Sequence, residues 1–107
     1  MPYIVVNGWY PTHLTQEVTD KYMEMLKEFP FDRSLGKETI PVAVSSGKSG
    51  IRVMSVMEVK EGKLQEAITW VGQRLLMFHS IKGYEYKTRI WSTVVEALEN
   101  IGMSLPG

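Results

Sequence analysis

Apolar side chains occupy both faces of the first predicted strand, Tyr3–Tyr10, which is rich in β-branched and aromatic residues. Successive side chains of a strand point to opposite faces of the sheet. One face would therefore carry Tyr3, Val5, Asn7 and Trp9, and the other Ile4, Val6, Gly8 and Tyr10. A strand predicted over 51–59 repeats this pattern, with Val53 and Met57 opposite Met54 and Val56.

Two stretches carry apolar residues at the three- and four-residue spacing of amphipathic helices. The first begins at Thr12 or Thr15 and ends near Phe29, before Pro30, and the second runs from about 63 to 78 or 79. Their apolar stripes are Leu14, Val18, Tyr22, Met25, Leu26 and Phe29, and then Leu64, Ala67, Ile68, Val71, Leu75 and Phe78. A capping box, Thr93-x-x-Glu96, predicts a short third helix that stops at Gly102.

The remaining segments read as two more strands and their connections. A loop is expected over 31–39, with a role that the sequence leaves open, followed by a short strand over 40–45. Pro41 favours an edge strand or a strand start. Residues 45–50, SSGKSG, are expected to form a hairpin loop, and a fourth strand is predicted over 84–91 after a break at Gly83.

The order of these elements, β-α-β-β-α-β with an extra C-terminal helix, predicts an α+β fold of the ferredoxin-like kind. We expect a four-stranded antiparallel sheet in a single domain over 1–103, with a short tail over 104–107. Two long helices cover only one face of such a sheet, and the third helix is too small for the other. A second copy of the chain, packed sheet to sheet as a homodimer, is the predicted cover.

This element order and two-faced sheet resemble the dimeric α/β-barrel superfamily over nearly the whole chain. The resemblance rests on pattern and implies two ferredoxin-like protomers packed sheet against sheet. The superfamily includes cofactor-free monooxygenases, haem-degrading monooxygenases, chlorite dismutase-like enzymes, stress-induced proteins and many members of unknown function. It therefore implies a fold and leaves the activity open.

Three residues resemble the site of the haem-degrading monooxygenases in type and element position: Asn7, Trp70 and His79. The resemblance implies that His79 ligates haem iron, Asn7 orients bound oxygen and Trp70 helps to distort the porphyrin. Nine residues separate Trp70 from His79, which is about 180° around a continuous helix, so a helix break between them is required. The alternative is structural: a helix–helix or dimer contact for Trp70, a helix-end position for His79 and backbone bonding for Asn7.

The main functional hypothesis is a cleft between sheet and helices that binds a small apolar or aromatic molecule without a cofactor. Its candidate lining residues are Asn7, Trp9, His79, Tyr84 and Tyr86. Aromatic residues on a sheet are also typical of plain core. Whether the protein is an enzyme stays open. The alternatives are a monooxygenase of the antibiotic-biosynthesis or haem-degrading type, and a structural or regulatory interaction module with a filled core.

The composition limits the binding partners, metal sites and cellular location that can be expected. Twelve basic and twelve acidic residues give a net charge of zero, so no basic surface for nucleic acid is expected. The absence of cysteine excludes disulfides and thiolate metal sites, and the two histidines lack a metal-binding spacing, so no metal is expected. Gly47-Lys48-Ser49 is not a phosphate-binding loop, because Val42 stands where that motif requires glycine.

No apolar run is long enough for a membrane span, and a cytoplasmic location is the default expectation.

Overall fold

The computed structural model describes residues 1–106, within which four antiparallel strands form one sheet alongside three α-helices. The elements are β1 (Tyr3–Tyr10), α1 (Thr15–Glu28), β2 (Gly36–Gly47), β3 (Gly50–Val59), α2 (Leu64–Leu76), β4 (Glu85–Trp91) and α3 (Val94–Glu99). Short 3₁₀ turns occupy Thr12–Leu14 and Met77–Ser80. The strand order is β2-β3-β1-β4. The predicted α+β fold and element order are confirmed, and the arrangement is consistent with a ferredoxin-like fold.

The two most apolar strands lie at the centre of the sheet. In β1, Asn7 pairs with Met54 of β3 on one side and with Lys87 of β4 on the other. Central strands have neighbours along both edges and a packed surface on at least one face, so they tolerate apolar residues throughout. This position explains why β1 and β3 lack a clean alternation of apolar and polar residues.

The core lies between the sheet and the helices. The helix-facing side chains of β1 and β3 include Ile4 and Val59, which are almost completely buried. One cluster contains Ile4, Leu35, Met57, Val59, Ala67, Val71 and Leu75, and a second contains Tyr10, Val18, Met25, Phe78 and Ile81. The predicted helix stripes supply most of the helical members of both clusters. Burial of side chains of this size stabilises the fold by about 1.5–3 kcal/mol each.

The prediction that residues 36–39 belong to a loop is wrong, because β2 already begins at Gly36. The backbone of Gly36 pairs with Val59, and Lys60 N donates to Leu35 O at 2.9 Å. Leu35 is buried in the core and draws this part of the chain against β3. Sequence periodicity does not reveal this start, because Gly36 has no side chain to contribute to the pattern.

The predicted six-residue hairpin loop is also too long. Gly47 pairs with Gly50, so only Lys48 and Ser49 form the turn. Gly50 has a φ of +116°, a left-handed conformation that glycine adopts without steric cost. Residues 41–49 are exposed along the edge of the sheet, while β3 stays paired with β1 as far as Ile51.

The break that the spacing of Trp70 and His79 requires is present. Helix α2 ends at Leu76, and Met77–Ser80 continues as a 3₁₀ turn. The tighter turn carries Phe78 into the core and leaves His79 exposed. None of the helices within residues 1–106 combines the length and apolarity needed to cross a membrane.

The reverse face of the sheet, which the helices do not cover, carries Tyr3, Val5, Asn7 and Trp9 of β1, Arg52, Met54, Val56 and Glu58 of β3, and Glu85, Lys87, Arg89 and Trp91 of β4. Its centre is apolar, and cations follow the β4 edge. Trp9 and Trp91 are 39% and 54% exposed. The predicted homodimer would bury this face and stays a prediction.

The C-terminal helix is well capped but packs little apolar surface. Thr93 accepts from Glu96 N, and the Glu96 carboxylate accepts from Thr93 N, which confirms the capping box. Val94 and Ile101 nevertheless remain 59% and 68% exposed. The radius of gyration is 15.6 Å, against about 13 Å for a compact chain of this length. Residues 104–106 form no helix or strand, Gly107 of the predicted tail lies outside the described residues, and the single domain over 1–103 stays a prediction.

We predict that Gly36→Ala lowers the free energy of unfolding by about 1–3 kcal/mol, as overpacking does. A Cβ at this position would overlap the backbone carbonyl of Glu58, which has little room to move. Gly47→Ala, in the same strand with nothing near the added Cβ, should stay within about 0.5 kcal/mol of the parent protein. Urea denaturation of both variants measures the difference, and equal effects would contradict the pairing of Gly36 with Val59.

Candidate functional site

A cavity of about 100 Å³ opens to the surface between the sheet and the two long helices. Its floor includes Val6 and Ser55, which face each other across β1 and β3. Both side chains are shorter than that of the neighbouring Met57, so the floor is low at this point. Helix α2 supplies Trp70, Val71, Arg74 and Leu75, and α1 supplies Tyr22 and Met25. We call this space the sheet–helix cavity.

The irregular part of β2 borders this cavity. The register between β2 and β3 slips between Glu38 and Ile40 and again between Ile40 and Ala43. Such irregularities bend an edge strand and increase its local twist. Glu38, Ile40, Pro41 and Val42 all border the cavity. Pro41 and Val42 are exposed, so they stand at its mouth.

Arg74 is the half-buried charge of the cavity. Its Nε and Nη2 donate to the carbonyl of Phe29 at 3.0 and 2.8 Å, and its guanidinium lies 4.4 Å from the centre of the Trp70 ring. Trp70 in turn makes an edge-to-face contact with Phe31 at 5.5 Å. Trp70 and Arg74 are four residues apart, so they are neighbours on one side of α2. The arrangement attaches the end of α1 to α2 and fixes the plane of the guanidinium.

The surroundings of Arg74 do not neutralise its charge by a direct ion pair. Within residues 1–106, no carboxylate oxygen lies within 4 Å of it. Burial lowers the pKa of Arg74, whereas the more distant negative charge of Glu38 and the Tyr22 phenol act in the opposite direction. A cation next to an apolar surface, held by a carbonyl and an aromatic ring, stays available to a further anion.

Tyr84 forms the far wall of the cavity. Its ring stacks on Phe78 at 4.9 Å and on Tyr10 at 5.9 Å. Gly8 of β1 makes room for it, because an added Cβ would press on the Tyr84 hydroxyl and on Val53. Burial raises the pKa of Tyr84 to about 12. The hydroxyl therefore stays protonated at neutral pH.

His79 and Tyr86 form a pair outside the cavity lining. His79 Nε2 and the Tyr86 hydroxyl are 2.6 Å apart, and the two rings stack with centroids 5.6 Å apart. The 3₁₀ turn after α2 holds the histidine above strand β4, so the imidazole meets the phenol at the exposed edge of the sheet. The contact joins the end of α2 to β4.

A second, larger depression lies on the reverse face. This reverse-face groove encloses about 660 Å³ and is bordered by Asn7, Trp9, Ser45, Ser46, Lys48, Arg52, Lys87, Arg89 and Trp91. The indole of Trp9 donates to the carboxylate of Glu85 at 2.8 Å. Four cationic side chains, Lys48, Arg52, Lys87 and Arg89, border the groove, which is more polar than the sheet–helix cavity.

The structure divides the predicted site residues among three places. Trp70 and Tyr84 line the sheet–helix cavity, Asn7 and Trp9 line the reverse-face groove, and His79 and Tyr86 contact each other. The division follows from strand parity: Asn7 and Trp9 are odd-numbered positions of β1, and its even-numbered positions face the helices. The five candidate lining residues therefore do not border a single depression within residues 1–106, and their role in ligand binding stays a prediction.

The sequence interpretation missed Arg74, Glu38 and Tyr22 as cavity residues. A signal for Arg74 is present, since it follows Trp70 by four residues and borders the apolar stripe of α2. Glu38 has no comparable signal, because its position depends on the pairing of β2 with β3 from Gly36 onwards, in a stretch that the sequence predicts as a loop. Tyr22 lies within the predicted stripe of α1, where it reads as ordinary core.

A haem does not fit these residues. The cavity volume of about 100 Å³ is below the range of about 300–1,000 Å³ that is usual for sites of drug-sized ligands. Asn7 lies on the opposite face of the sheet from Trp70, and the His79 Nε2 atom is engaged with Tyr86. We therefore derive no chemistry through haem iron for this chain.

Comparison with known proteins gives a distant likeness. No protein-family model matches the chain, and no curated protein matches it. Among solved structures, a formyltetrahydrofolate deformylase from Pseudomonas putida KT2440 superposes with a TM-score of 0.47 and 8% sequence identity, covering 83% of this chain. The match spans 28% of the length of that enzyme. A likeness of this degree assigns no activity to this chain.

We predict that Arg74→Met lowers the free energy of unfolding by about 2 kcal/mol. The substitution removes both hydrogen bonds to Phe29 O and the cation over Trp70. Arg74→Lys should cost less, since the charge remains while the planar donors are lost. Arg33→Met, at an exposed position, is the control and should change stability by less than about 0.5 kcal/mol. Similar free energies of unfolding for both methionine variants in urea titrations would contradict the role of Arg74 in attaching α1 to α2.

We predict that one tyrosine titrates near pH 12 in the folded protein and that Tyr84→Phe removes this step. The pKa of Tyr84 rises from 10.0 in the exposed group to about 12 on burial, so its stabilising contribution is complete below pH 10 and is lost as pH rises towards 12. Burial also raises the pKa of Tyr10 and Tyr22. Tyrosinate absorbance against pH measures the step, and Tyr3→Phe should retain it. Persistence of the step in Tyr84→Phe would reject the assignment.

Proposed function

We propose that this domain binds a small apolar or aromatic molecule in the sheet–helix cavity. The observation that carries the proposal is an unfilled apolar space of about 100 Å³, bordered by side chains of α1, α2, β1, β2 and β3. Protein interiors are otherwise packed as densely as organic crystals. An interaction module with a filled core, the structural alternative, would have no such opening.

The dimensions favour a ligand of few heavy atoms. Apolar cavities of about 150 Å³ in other proteins stay dry and bind benzene or xenon. A single aromatic ring or a short aliphatic chain is therefore the size class that this cavity suits. Trp70, Phe78 and Tyr84 offer aromatic surfaces to such a molecule, and Val6, Val71 and Leu75 offer aliphatic ones. No specific observation favours oxygenase chemistry, since no histidine of the described residues borders the cavity.

We further propose that a second copy of the chain covers the reverse face. Val5, Met54 and Val56 form an apolar centre on this face, flanked by exposed Trp9 and Trp91. The face also carries both signs of charge, Glu58 and Glu85 beside Arg52, Lys87 and Arg89. A two-fold axis places the same surface opposite itself, which allows acidic and basic side chains to pair between copies.

Ligand binding is tested by filling the cavity. We expect toluene and indole to raise the melting temperature of the parent protein further as their concentration increases, because they bind the folded state. Ser55→Leu places extra methyl groups on the cavity floor, so it should raise intrinsic stability by about 0.5–2 kcal/mol and abolish the ligand-induced shift. The exposed Ser80→Leu is the control and should keep the shift. No shift with any small apolar compound, or an equal shift in Ser55→Leu, would contradict the proposal.

Self-association is tested by a charge on the reverse face. Val56→Glu should convert a dimer into a monomer, because it places a carboxylate at the apolar centre of the interface. Val44→Glu carries the same change at the exposed end of β2 and should leave the assembly intact. Sedimentation equilibrium over a range of concentrations distinguishes the outcomes. A monomeric parent protein would refute the proposed dimer and would leave the cavity proposal standing.

A further inference from the structure

We infer that the ligand of the sheet–helix cavity is a small apolar carboxylate, with its anionic group bound by Arg74 and its apolar body in the cavity. The inference rests on the proposed function of this site. It adds the chemical class of the ligand, which follows from the one cation that borders a mainly apolar space.

Arg74 has donor capacity left over. A guanidinium carries five N–H donors, and Phe29 O accepts from Nε and Nη2. Within the described chain, no other acceptor bonds to the remaining donors. These N–H groups can donate to a ligand carboxylate, for which the planar guanidinium has matching geometry. The stacked Trp70 ring and the Phe29 carbonyl hold the group in place before the ligand arrives.

The free donors of Arg74 favour an anion over a neutral molecule at this position, while the more distant negative charge of Glu38 opposes part of this preference. Arg74 is half-buried beside apolar side chains, and burial lowers its pKa. A direct ion pair within residues 1–106 does not compensate that burial. Breaking or omitting the partner of a buried charge is costly. A ligand carboxylate would supply the missing partner inside a space of reduced dielectric, where the interaction is stronger than in water.

Glu38 limits the charge that the ligand carries. Its side chain borders the same cavity and makes no hydrogen bond or ion pair with another described residue that would neutralise it. A second negative charge on the ligand would be repelled by this carboxylate. A monocarboxylate therefore suits the pair of Arg74 and Glu38 better than a dicarboxylate or a phosphate ester. Glu38→Gln should relax this preference.

The experiment compares two probes of nearly equal shape, benzoate and benzyl alcohol, by calorimetric titration of the parent protein. Benzoate should bind at least about 10-fold more tightly, as expected for charge-assisted hydrogen bonds. In Arg74→Met, benzoate should lose about 10- to 100-fold in affinity, and benzyl alcohol should change by less than about 3-fold. Arg74→Lys should retain part of the preference, and the exposed Arg33→Met should retain all of it. Thermal melts establish first that each variant is folded.

The titrations distinguish the carboxylate inference from the proposal that the cavity binds an apolar molecule. Benzoate preference that disappears in Arg74→Met supports the inference. Equal binding of both probes, or a preference that survives Arg74→Met, overturns the carboxylate inference and leaves apolar binding in place. Binding of neither probe overturns the inference and counts against the proposed function as well. Terephthalate, with a second carboxylate, should bind more weakly than benzoate to the parent protein, and the gap should narrow in Glu38→Gln.

Discussion

Two long helices cover one face of a four-stranded sheet, and the apolar packing between helices and sheet is the interaction on which the other features depend. It buries the even-numbered side chains of β1, such as Ile4 and Val6, on the side of the core. The odd-numbered side chains of β1, such as Val5 and Asn7, consequently lie on the reverse face. Side chains from the two sets therefore lie on opposite faces of the sheet. This rule, and not the identity of the residues, separates Asn7 from Trp70.

The sheet–helix cavity marks a place where regular packing is interrupted. Val6 and Ser55 give the floor short side chains, and the slipped register of β2 draws its edge away from a regular ladder. Edge strands accommodate such irregularities more readily than central ones, because only one ladder is disturbed. The opening therefore lies beside β2, while the paired strands β1 and β3 keep a continuous register beneath it.

Arg74 connects stability to recognition. The carbonyl of Phe29 and the ring of Trp70 satisfy part of its bonding capacity, and these contacts attach the end of α1 to α2. The same contacts leave the positive charge without a carboxylate in direct contact. Arg74 therefore has two effects. It stabilises the packing of two helices, and it gives a ligand anion a defined place to bind, which sets the orientation of the ligand in the cavity. The reverse-face groove has more charge and less apolar enclosure, so it lacks this combination.

The sequence by itself determined the elements and their order, since periodicity of 2 and 3.6 residues is a property of each segment alone. It also determined the capping box at Thr93 and the need for a helix break before His79, both of which are present. Only the tertiary structure decided that β2 begins at Gly36, that one apolar face of β1 is covered, and that Glu38, Tyr22 and Arg74 border one cavity. These features depend on the register and docking of segments far apart in the chain, and no local pattern carries that information.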